Sequence, residues 1–150
     1  MWRLEYNFNM QTFLPYSNFQ ESAKVLDMKR LGKQRVETMQ IMKALLAPDS
    51  KAWQNHPAVR MWKGYEFALL QYQRAIVREW TGRGYKDTCL QKTEELYAMY
   101  AKSAKKDMPV WLGHEKFHAS HRSNLLRKKI EWYNQYKWLE PNDMEYVWPC

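Results

Sequence analysis

Cysteine is nearly absent from this chain, with only Cys89 and Cys150 among 150 residues. That excludes a disulfide framework and a cysteine-based zinc site, and it makes a reducing cytoplasm the expected compartment. Glycine is scarce, at five residues, and β-branched residues are few, which argues for helices rather than sheets. No stretch approaches the roughly 18 consecutive apolar residues of a spanning helix, so no membrane association is expected. The opening MWRLEYNFNM carries Glu5 and other polar residues where a secretory signal needs an unbroken apolar run. No repeat, linker or low-complexity segment divides the chain, and a single compact domain over 1–150 is the simplest expectation.

Positive charge and aromatic rings are plentiful. The formal charge is +8 with a pI near 9.5, and eight Trp and ten Tyr occur. A basic surface favours an anionic partner, and aromatics interleaved with Lys and Arg suit base stacking and backbone tracking. The same composition also describes a basic helical protein with a large aromatic core.

The periodicity predicts an all-α domain of about four helices with irregular N- and C-terminal segments, the first covering residues 1–20. A first helix is expected from Ser22 to before Pro48, with Leu31, Thr38, Ile41, Met42 and Leu45 on one face. Arg30, Lys33 and Glu37 share another face. Arg35 projects into the apolar sector, where a cation must be paired or reach past the core. A second helix starts at Pro57, led in by Asn55 and His56, with a stripe of Trp62, Tyr65, Leu69, Tyr72, Ile76 and Trp80 up to the glycines of TGRGY. A third covers about 90–103. The fourth carries HEKFHASHRSNLLRK at 114–128, with Ala119, Leu126 and Ile130 expected toward the core and the histidines away from it. From Trp132 the chain is aromatic and largely irregular.

His114, Glu115 and His118 form H-E-x-x-H, which on a helix can bind zinc and activate its water, with His121 one turn further on. Nothing else in the sequence supplies the strand or further ligands of a zinc hydrolase, so this is the weaker reading and no metal is expected. The same helix presents Arg122, Arg127 and Lys128, which suit phosphates. A merely solvated charged face is the plain alternative.

Three strings in order, RLGKQRVETMQI, HPAVRMWKGYEFALLQYQRAIVREWTGRGY and GHEKFHASHRSNLLRKKIEWYNQY, resemble the pyrimidine-dimer DNA glycosylases of the phage endonuclease V type, and a bacterial and phage branch of that family most closely. The resemblance implies an endonuclease V-like fold, a double-stranded DNA partner, no cofactor, action as a monomer, and excision of a damaged or modified pyrimidine after nucleotide extrusion. It implies a catalytic carboxylate at Glu37; the alternative for Glu37 is an i,i+4 partner of Lys33. It implies DNA contacts from Arg30, Lys33, Gln34 and Arg35 in the first string and from His118, His121, Arg122, Asn124, Arg127 and Lys128 in the third. Trp53, Trp62 and the C-terminal aromatics are stacking candidates, Trp62 being more a core residue. The family's nucleophile is an N-terminal α-amine, whereas here the matching start, MQTFLPY, lies at Met10 behind nine further residues. The resemblance therefore supports base removal and does not extend with the same force to strand cleavage. A non-excising DNA-binding or base-modifying protein on the same scaffold is the second reading.

Overall fold

A computed structural model describes residues 10–47 and 55–149. The readings that involve Glu5, Pro48, Trp53 and Cys150 lie outside those residues. Among the described residues there is no strand, in keeping with the all-α expectation, but the helices number seven rather than about four. They are α1 (Phe19–Val25), α2 (Met28–Leu46), α3 (Pro57–Arg60), α4 (Glu66–Gly82), α5 (Cys89–Tyr100), α6 (Glu115–Lys128) and α7 (Ile130–Tyr133), followed by a 3-10 turn at Asn134–Tyr136.

The excess arises because three expected helices are each broken once. The first starts earlier than Ser22, at Phe19, where Asn18 caps the Glu21 amide. It breaks at Leu26 and Asp27, both in extended conformation. The Asp27 amide donates to the Tyr133 hydroxyl at 3.1 Å, and that hydroxyl donates to the Asp27 carboxylate at 2.5 Å. A partner 106 residues away thus fixes the break, and no local pattern announces it. The second expected helix breaks at Gly64, whose φ of +85° suits only a residue without Cβ; its amide is taken by the Glu66 carboxylate. His56 shapes the first turn of α3 by accepting from the Ala58 amide at 3.0 Å. The fourth breaks at Lys129, whose φ/ψ of −155°/74° leaves the helical region.

Helix α2 packs against α4 and α5, and α1 lies on α4. The α2 face of Leu31, Thr38, Ile41 and Met42 is fully buried, as are Trp62, Leu69, Tyr72 and Ile76. Trp62 packs edge-on against Trp111 at 5.1 Å and donates its indole N–H to Thr12. Burying rings of this size contributes more than any other class of contact in the core.

Helix α6 enters the core through Phe117, Leu125 and Leu126, but apolar contacts are not all that holds it. Ile130 is 52% exposed, whereas His118, Ser120, His121, Arg122, Ser123 and Asn124 are buried. The expected outward position of the histidines is thereby corrected for His118 and His121, while His114 is exposed as expected. The reason is that two stretches without regular structure, 10–15 and 138–149, lie along this helix. Their backbone groups cannot pair with each other and need side-chain partners. Ser123 donates to the Pro141 carbonyl at 2.5 Å and accepts the Met144 amide, Ser120 accepts the Val147 amide, and Asn124 donates to the Met144 carbonyl.

Candidate active site

Glu37 sits in the middle of α2, and its side chain is almost wholly buried. Burial pushes its carboxyl from 4.5 up to about 7; Lys33, the Gln11 backbone amide and Lys128 pull the other way without cancelling it. Gln34, one turn earlier, donates to the Glu37 carboxylate at 3.2 Å. A carboxyl that is half ionised near neutral pH can take or give a proton there, which an ordinary surface glutamate cannot do efficiently.

The carboxylate opens onto a cavity of about 130 Å³ lined by Phe13, Lys29, Arg30, Lys33, Glu37 and Lys128. Five charged residues from two helices far apart in the chain therefore meet at one place, four of them cationic. Two larger grooves adjoin it. One, of about 680 Å³, shares Phe13 and Lys128 and runs past Gln11, Arg127, Tyr146 and Trp148. The other, of about 570 Å³, shares Lys29, Lys33 and Glu37 and is floored by Met28, Val36 and Trp80. Gly32 lets the Trp80 ring lie close on α2, since a Cβ there would meet the ring at 3.1 Å. A still larger cavity of about 990 Å³, beside Tyr65 and Trp111, shares no lining residue with these three.

The remaining residues of the two basic strings have other occupations. Arg30 is held by both Asp27 oxygens at 3.3 Å while lining the cavity. Arg35 pairs with Asp87 at 2.8 Å and lies over the Trp80 ring at 4.5 Å, which is how a cation in the apolar sector is accommodated. Gln34 is fully buried and cannot meet a phosphate. Arg127 lies at the rim, donating to the Asn142 carbonyl at 3.0 Å and bonded to Asn124. Arg122 is clasped from three sides: it donates to the Pro15 carbonyl at 2.7 Å, to Glu140 at 2.9 Å and to Glu115. Its charge ties the N-terminal segment to the C-terminal one across α6, so it does not stand on a surface for DNA. Asn124 is likewise occupied.

His118 and His121 grip the two backbone groups of one residue, Leu14. The Leu14 amide donates to His121 Nδ1 at 2.9 Å, so the proton of His121 is on Nε2. The Gly113 amide donates to His118 Nε2 at 2.9 Å, so His118 Nδ1 carries the proton and donates to the Leu14 carbonyl at 2.8 Å. Burial, aided by His118, lowers His121 to about 3. With both His118 nitrogens and one of His121 committed, and Glu115 paired with Arg122, the H-E-x-x-H string offers no converging lone pairs for a zinc ion. Its structural work is to hold 10–15 so that the Gln11 amide reaches Glu37.

Lys29, Phe13 and the Gln11 amide were not legible as site components. Lys29 had a signal, because Lys29, Lys33 and Glu37 stand at successive spacings of four and share a helix face. Phe13 and Gln11 had none, since they lie in a segment without period.

A family model described as pyrimidine dimer DNA glycosylase matches residues 10–93, more than half of the chain. The matched stretch begins at Met10 and includes Glu37, Lys29, Arg30 and Lys33. No curated protein and no solved structure matches the chain.

Proposed function

Since the chain belongs to the pyrimidine dimer DNA glycosylase family, we propose that Glu37 is the carboxylate at which the glycosidic bond of an extruded nucleotide is broken. The enzyme is of the base-excision type, binding DNA and acting on pyrimidine dimers or damaged bases. Among the described residues no helix is long and apolar enough to cross a membrane. The reading further has the whole chain acting as one monomeric unit on double-stranded DNA in the cytoplasm, or in a host's cytoplasm.

The observation that carries it is the buried carboxyl, raised to about 7, facing a cavity with four cationic walls. Breaking C1′–N1 leaves a cation-like sugar. The ionised Glu37 lies where it can stabilise that charge and accept a proton from the water that attacks C1′. Lys29, Arg30 and Lys33 would take the phosphates of the distorted strand, offsetting the few kcal/mol that unstacking and unpairing cost. The apolar floor of Met28, Val36 and Trp80 beside Glu37 suits a base face and would accept several bases.

The test is the pH dependence of base release from a duplex bearing one thymine dimer. With the carboxylate as the active form, kcat/KM should rise about tenfold per pH unit below neutrality and level off near 7, the value burial gives Glu37. A rate that falls through that window assigns the work to the protonated acid instead. A flat profile removes Glu37 from the chemistry, and tight DNA binding without base release at any pH favours the non-excising reading.

A further inference from the structure

We propose that the ε-amine of Lys128 is a nucleophile of this site, capturing the C1′ aldehyde of an abasic deoxyribose and so conferring strand cleavage. The inference rests on the reading of Glu37 above, because the same carboxylate serves both steps.

Position is the first argument. Lys128 ends α6 and lines both the cavity that holds Glu37 and the groove that runs past Gln11. It is the wall of the small cavity contributed by a different helix from Glu37, whereas Lys29 and Lys33 lie on the carboxylate's own helix. A sugar seated between the two walls has an amine on one side and a carboxylate on the other. The backbone nitrogen that donates to the Glu37 carboxylate, that of Gln11, follows Met10 in this chain. It is therefore a peptide amide, whose lone pair is delocalised and cannot attack a carbonyl.

The surroundings of Lys128 also suit an amine that must lose a proton before it reacts. It is flanked by Arg30 and Lys33 from α2 and by Arg127 on its own helix, while Lys29 shares the small cavity. Asp143, Glu145 and Tyr146 of the C-terminal segment line the larger groove with it. Partial burial, and then the three neighbouring cations, draw its ammonium below the ordinary lysine range, with Glu37 opposing. Desolvation and adjacent positive charge are the two means by which a lysine is made a nucleophile near neutral pH.

The reaction balances without an oxidant or reductant. Once the base has left, the sugar ring opens to the C1′ aldehyde. The neutral Lys128 nitrogen adds to C1′, and loss of one water gives the protonated imine. Glu37 removes a C2′ proton, which forms the C1′=C2′ enamine as the imine pair returns to nitrogen. The nitrogen pair then re-forms the imine, the C1′–C2′ pair moves into C2′–C3′, and the C3′–O bond breaks with its phosphate as leaving group. Water then hydrolyses the unsaturated imine, returning the Lys128 amine and leaving an unsaturated aldehyde on the upstream strand.

The experiment uses the full chain and a duplex with a preformed abasic site, so that the identity of the excised base is immaterial. Borohydride should trap a covalent complex, and peptide mapping of the wild-type adduct should find the reduced sugar on Lys128. Lys128→Arg keeps the positive charge but cannot form the imine, and its adduct yield should drop at least about 100-fold. An adduct on the N-terminal amine or on another lysine, or full trapping in Lys128→Arg, overturns the proposal. Base release from dimer-containing duplex is measured in parallel. Base release with no adduct on Lys128 defeats this inference and leaves the role of Glu37 intact. An adduct on Lys128 in a protein that releases no base upholds the inference and defeats the excision reading of Glu37.

Discussion

Glu37→Gln is expected to slow base release by about three orders of magnitude and, in the same protein, to raise the melting temperature at pH 8. The two effects share one cause. Burial raises the carboxyl to about 7 in the folded chain, against 4.5 for a glutamate in water. Between those values the folded state holds a proton that the unfolded state has released, so stability falls as pH rises from about 4.5 through 7. The cost is fully present above that range and amounts to roughly 3 kcal/mol. Glutamine keeps the shape and the Gln34 contact but is never charged, so the variant escapes the cost. For a chain of this size that is about 6–12 °C in Tm at pH 8. The gain should shrink toward zero at pH 4.5, where both proteins carry a neutral group at position 37. His121 has the opposite sign: its folded value of about 3 lies below the ordinary 6.5, so its stability contribution is lost as pH falls. That contribution is common to both proteins and cancels in their difference. Equal melting temperatures of the two proteins at both pH 8 and pH 5 would show that burial does not strain Glu37, and a rate reduced only a few-fold would show that it is not engaged in the chemistry.

What the sequence disclosed and what it concealed divide along a physical line. The α2 stripe was readable because Leu31, Ile41 and Met42 follow the helical period and face one contiguous core. The approach of Lys128 to Glu37 was anticipated only through the resemblance, yet it is now a matter of geometry. The breaks at Asp27 and Lys129 were hidden, because Asp27 is held by Tyr133, 106 residues away. Helix α6 misled most. Its Ser, Asn, His and Arg residues look like an exposed DNA-binding face, and polar residues on a basic helix usually are exposed. Here they serve as hydrogen-bond partners for two irregular segments, a demand that periodicity cannot encode. His118 is the sharpest instance: it stands four residues after His114, as a zinc ligand would, yet it works with His121, three residues further on, to hold the carbonyl and amide of Leu14.

Gln34→Met is expected to have the largest destabilising effect at the site, although this residue looks from sequence like a surface DNA contact. Gln34 accepts the Phe13 amide at 3.0 Å and donates to the Gln11 carbonyl at 2.8 Å and to Glu37 at 3.2 Å. The Tyr72 hydroxyl, 2.7 Å from Gln34 and 2.6 Å from the Phe13 carbonyl, donates to one of them at a time. Methionine has a similar length and would fill the space, so no cavity forms. It would nonetheless strand a buried amide and a buried carbonyl, each costing about 1–3 kcal/mol, for a total of roughly 3–5. Urea unfolding should register that loss. A merely structural role would end there, whereas Gln34 also stabilises the ionised form of Glu37. Removing that donor should push the Glu37 carboxyl further above 7 and move the inflection of the pH–rate profile upward with it. Tyr72→Phe supplies the contrast. It deletes one hydroxyl, leaves the bonds from Gln34 to Gln11 and Glu37 in place, and should cost about 1 kcal/mol. Its hydroxyl does not touch Glu37, so the inflection should stay where it is. Equal displacement of the inflection in both variants would mean that Glu37 responds to loosening of the core at large, not to Gln34.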